Sequence, residues 1–112
     1  MADGAAENWT PDQVRGDESE GFRRAAWAKA LARWRRAEAG VAALAQSEDE
    51  DAYDRAVGRQ IAALGRVLRA PAPDGAAAAW KLELIAAHQA YELGCWDAAV
   101  AALAADVRRL AG

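Results

Sequence analysis

Between residues 27 and 45 the apolar residues fall at three- and four-residue steps: Trp27, Ala30, Leu31, Trp34, Ala37, Val41, Leu44 and Ala45. That is the period of one helix face, and it predicts a long helix from about Glu18 to Gln46. Asp17 is placed to cap it, with Glu20 three residues on, and Gly40 weakens its last third. A second stripe, Tyr53, Ala56, Val57, Ile61, Leu64, Val67 and Leu68, predicts a helix reaching about Arg69, opened by the capping box Ser47-Glu48-Asp49-Glu50. Gly58, Ala62 and Gly65 run beside that stripe and would let a neighbour approach closely, at a cost of about 1 kcal/mol per glycine relative to alanine. From Gly75 to Leu93 a third helix carries Trp80, Leu84, Ala87, His88 and Tyr91 on one side, with Leu82 and Leu93 opposite. A fourth, from about Ala98 to Ala111, has the single stripe Val100, Leu103, Val107 and Leu110.

The breaks between these segments are equally legible. Pro71-Ala72-Pro73-Asp74-Gly75 stops one helix and supplies Asp74 as the cap of the next. Gly94 stands where a left-handed residue closes a helix, and Asp97 is placed to cap the fourth helix. Near the amino terminus, Thr10-Pro11-Asp12-Gln13 is a helix start that Gly16 should end within about two turns. The expected architecture is all-α: a compact antiparallel bundle of four helices over residues 17–112, the first two forming a long hairpin. Residues 1–16 are expected as a mobile acidic arm with one short helix, pinned to the domain by Trp9.

Composition narrows the picture. Of 60 apolar residues among 112, 33 are alanine, so few bulky side chains remain to fill a core. Thr occurs once, which with so much alanine excludes an all-β chain. The start, Met1-Ala2-Asp3-Gly4-Ala5-Ala6-Glu7, lacks the basic and apolar regions of a secretory signal, and charges interrupt every apolar run short of a bilayer span. A cytoplasmic protein without membrane contact is expected, with the lone Cys95 as a small buried hydrophobe.

The formal charge of −3 hides strong segregation. Residues 1–20 and 47–54 each carry −5, whereas 21–46 carry +5 and 55–69 carry +4. Arg55, Arg59, Arg66 and Arg69 fall within about 80° of arc on the second helix. Lys29, Arg33 and Arg36 form a similar row on the first. Were the hairpin to set the rows side by side, seven cations would share a surface able to neutralise phosphates, the alternative reading in which nucleic acid is the partner. Against this, each row lies opposite an apolar stripe, where soluble helices put charge, and the pI is near 5.

Catalysis finds little to work with. Ser19, Ser47, Thr10 and Cys95 have one candidate base, His88, and Gly94 separates His88 from Cys95. His88 sits on the apolar stripe of its helix and reads as a core or interface histidine. Glu83 and Glu92 fall on opposite faces, and no glycine-rich phosphate loop is present. The expectation is therefore no enzyme, no catalytic residue, no metal and no cofactor.

The segment Gly94-Cys95-Trp96-Asp97-Ala98-Ala99-Val100-Ala101-Ala102-Leu103 resembles the helix-turn-helix corner of a tetratricopeptide repeat at Gly94, Trp96, Ala99 and Leu103. The earlier Trp and Leu-Gly of that pattern are missing, and nothing repeats at its period. More broadly, Tyr53-Asp54, Pro71-Ala72-Pro73-Asp74, Lys81-Leu82-Glu83-Leu84 with His88, and Arg108-Arg109-Leu110 resemble small uncharacterised helical proteins of alphaproteobacterial genomes, often near prophage genes. That resemblance implies a phage or prophage accessory protein, an assembly factor or an inhibitor of a host defence or nucleic-acid enzyme, and supplies no catalytic residue. The thin core and two-faced third helix lead to a homodimer that captures a protein partner. Trp80, Trp96, Leu82, Leu93 and Trp9 are the expected contact residues.

Overall fold

The computed structural model describes the backbone of residues 11–111 and side chains from residue 20. Trp9 and the first ten residues of the expected arm lie outside the described residues. Helix α1 spans Pro11–Leu44, α2 Glu50–Arg69, α3 Gly75–His88 and α4 Trp96–Ala111, with a 3-10 turn at Ala90–Glu92. The all-α architecture of four helices is as expected. Helices α1 and α2 form the long hairpin, while α4 packs on α2 and α3.

Helix α1 runs unbroken through Gly16, so the short first helix and the Asp17 cap are corrected. One interior glycine costs about 1 kcal/mol, which lowers helix stability without ending it. The stripe of α1 does bury: Trp34 is the largest fully buried side chain, and Trp27 and Ala30 join it in the core. The second cap also moves. Asp49, not Ser47, caps α2, its carboxylate accepting the Ala52 N–H at 3.0 Å. Ser47 Oγ instead accepts the Asp49 N–H at 3.0 Å, tightening the turn. Asp74 caps α3 as expected, through the Ala77 N–H at 2.8 Å.

Along α2, Ala56, Leu64, Val67 and Leu68 bury as the stripe predicts, while Tyr53 and Ile61 stay exposed and Ala63 takes an inward place. Of the small-residue strip, Gly65 makes the close approach. A Cβ built there would meet Cys95 Sγ at 3.1 Å, whereas one at Gly58 would meet nothing within 4 Å.

The third helix ends five residues earlier than predicted. Gln89 adopts the left-handed conformation, φ 51°, that was expected of Gly94, and its N–H closes on the Ile85 carbonyl. This turn carries Ala90 into full burial and lets Leu93 and Trp96 pack against the core. Leu93 therefore does not share a helix with Leu82, and Leu82 is the exposed large apolar side chain of α3. Asp97 lies in the first turn of α4 and is not its cap.

Helix α4 carries the largest correction. Its expected stripe faces out: Val100, Val107 and Leu110 are 45%, 55% and 40% exposed, and Leu103 is half-buried. The inward row is Ala99, Ala102, Asp106 and Arg109, with Ala99 and Asp106 buried.

Candidate functional site

The reason for that rotation is a polar network that closes the bundle. Lys81 and Asp106 are both 1% exposed, and Lys81 Nζ donates to Asp106 Oδ2 at 2.6 Å. Asp106 Oδ1 accepts the Ala72 N–H at 3.0 Å and the Arg109 guanidinium at 2.9 Å. Arg109 donates further to the Ala72 carbonyl. Both carboxylate oxygens are thus satisfied, as a buried charge requires. Burial holds the Lys81 ammonium below its ordinary pKa of 10.5, and Arg109 adds to that shift, while Asp106 opposes it. Lys81 Nζ also lies 5.8 Å from the centre of the Trp27 ring. The network ties the Pro71–Asp74 connector to α3 and α4, so swinging Val107 inward would strip Asp106 of three partners. Sequence reasoning missed it because alanine gives no contrast between two helix rows. The available signal was the spacing Ala99, Ala102, Asp106, Arg109, a second three-and-four row, together with Lys81 as the sole Lys or Arg between residues 70 and 107.

With the inward row so occupied, α4 presents Val100, Leu103, Val107 and Leu110 along one flank, next to the half-buried Trp96. Trp80 is half-buried, edge-on to Trp27 with ring centres 5.7 Å apart, and lines a cleft of about 390 Å³ with Arg24, Arg35 and Asp74. Leu93 packs against the core, and Leu82 stands exposed on α3. Of the four expected contact residues that lie within the described part, Leu82 is exposed and Trp80, Leu93 and Trp96 are half-buried; Trp9 lies outside it.

The two basic rows are brought together in part. Arg33 and Arg36 from α1 and Arg59 and Arg66 from α2 line one groove of about 420 Å³, floored by Ala37, Ala62 and Ala63. None of these four guanidiniums pairs with a carboxylate among the described residues. Lys29 and Arg55 are exposed outside the lining. Arg69 is turned away, its Nε donating to the Gly65 carbonyl at 3.0 Å.

His88 stacks edge-on against Trp34, ring centres 5.1 Å apart, at the edge of a cleft that it shares with Gln60, Gln89 and Glu92. Its residue is nonetheless exposed, which corrects the core expectation. Cys95 is half-buried over Gly65 and does not line that cleft. Among the described residues no group of three metal-ligating side chains occurs, and no helix is long and apolar enough to cross a membrane. Comparison with protein-family models, with curated proteins and with solved structures found no match.

Proposed function

We propose that this chain is a non-catalytic helical binding protein whose contacts are protein–protein contacts made through α4, in the first place with a second copy of itself. The outward row of α4 carries the reading. Val100, Leu103, Val107 and Leu110 step three, four and three residues, the spacing of a helix–helix seam, and they alternate β-branched Val with Leu. That alternation favours two-stranded association. A row used by both copies makes an isologous contact, in which each α4 supplies the apolar surface the other lacks. Pooling apolar area also suits a chain whose core is rich in alanine.

The phage or prophage setting, whether as assembly factor or as inhibitor of a host enzyme, rests on the resemblance alone. The α4 reading stands without it. Solution mass by sedimentation equilibrium tests the proposal. The full chain is expected to be a dimer, and Val100→Asp with Val107→Asp is expected to give a monomer of unchanged helix content. A wild-type monomer throughout the micromolar range, or a doubly substituted chain that stays dimeric, would overturn it.

A further inference from the structure

We propose that the groove between α1 and α2 binds a chain of phosphoryl groups, an oligophosphate or the backbone of a nucleic acid, through Arg33, Arg36, Arg59 and Arg66. This does not depend on the α4 reading, since it uses two other helices. Four cations line a groove of about 420 Å³ that contains no carboxylate. None is matched by a carboxylate elsewhere among the described residues, so within residues 20–111 their mutual repulsion is not offset by an ion pair.

The usual reason for cations on a helix covers only part of the set. The macrodipole favours base in the last turn, where Arg66 lies, but Arg59 is in the middle of α2. On α1, Arg33 and Arg36 precede the last turn, which holds no base. All four cations of the groove are arginine, whose planar fork fits phosphate oxygens two at a time and is less strongly hydrated than an ammonium. Arg59 and Arg66 are seven residues apart, about 10 Å along the helix axis, which asks for an extended anion with several charges and not a single ion. Between the arginines the lining is alanine, which leaves room for a chain to lie between the two rows. The acidity of the whole chain is no objection: residues 1–19 hold a net −4, and residues 20–111 a net +1.

The test is binding of the full chain to a fluorescent single-stranded oligonucleotide and, separately, to inorganic tripolyphosphate, with an Asp/Glu decapeptide as a third arm. Binding of either phosphate ligand, with at least tenfold weakening in Arg33→Gln/Arg59→Gln/Arg66→Gln and none in Arg24→Gln, supports the proposal. Binding by the oligonucleotide alone assigns nucleic acid as the source, and binding by tripolyphosphate alone assigns a free oligophosphate. Four contacts on a single strand would make affinity fall about fiftyfold between about 50 and 200 mM salt. The substituted side chains line an open groove, and circular dichroism checks that helix content is kept. No binding of either phosphate ligand, equal loss in Arg24→Gln, or equal affinity for the decapeptide would overturn the proposal.

Discussion

Asp106 decides how the last helix sits. It is a charged residue in an inward row otherwise made of alanine and arginine, and it accepts hydrogen bonds from Lys81, Ala72 and Arg109. Asp106→Ala leaves the Lys81 ammonium buried without its partner, and a loss of about 3–5 kcal/mol is expected by urea denaturation. Replacing both, as Lys81→Met with Asp106→Leu, is expected to recover most of that loss, because no buried charge is then left alone. Lys81 also gives the protein an alkaline signature. Its folded pKa is lowered, so between that value and 10.5 the unfolded chain binds more protons, and stability rises with pH across that window. In Lys81→Met this rise should be absent, so a wild-type urea midpoint that falls over the window relative to Lys81→Met would contradict the burial argument.

At the level of the element, sequence pattern was most reliable where bulky and small residues alternate. The α1 stripe is read correctly because two tryptophans and a leucine stand against arginine. In α4 hydropathy favours the Val/Leu row, and only the partners of Asp106 reverse the choice. They come from residues 25 and 34 positions away. The same limit applies to Gln89: nothing in its neighbourhood announces a left-handed residue, which is set by the burial of Ala90. The capping signals were right in kind but shifted by two residues at α2, where four acids, Glu48 to Asp51, follow one another. Glycine in α2 separates packing from propensity. Gly58→Ala is expected to stabilise by about 0.5–1 kcal/mol, since its Cβ meets open space. Gly65→Ala should gain clearly less, because Cys95 Sγ must yield, and the difference should shrink in a Cys95→Ala background. Equal gains at both glycines would show that α2 and the start of α4 are not in close contact.

Across the whole molecule the few bulky residues are divided between the interior and the proposed α4 contact. Trp27, Trp34, Leu64 and Leu68 go to the interior. The Val/Leu row of α4 and the arginines over the alanine floor remain outside. The basic groove was half legible in the sequence: the rows were visible, but which members converge depends on hairpin register, and Arg69 is lost to a backbone carbonyl. The central claim is that the α4 row is outward in one copy and covered by another. The rate at which a thiol reagent labels Val107→Cys, in a Cys95→Ala background, measures this directly as protein concentration is varied. Labelling should be fast in dilute solution and slow progressively as the concentration rises. A slow rate at concentrations where the chain sediments as a monomer would place the row inside the fold, and a fast rate at every concentration would leave it without a second copy.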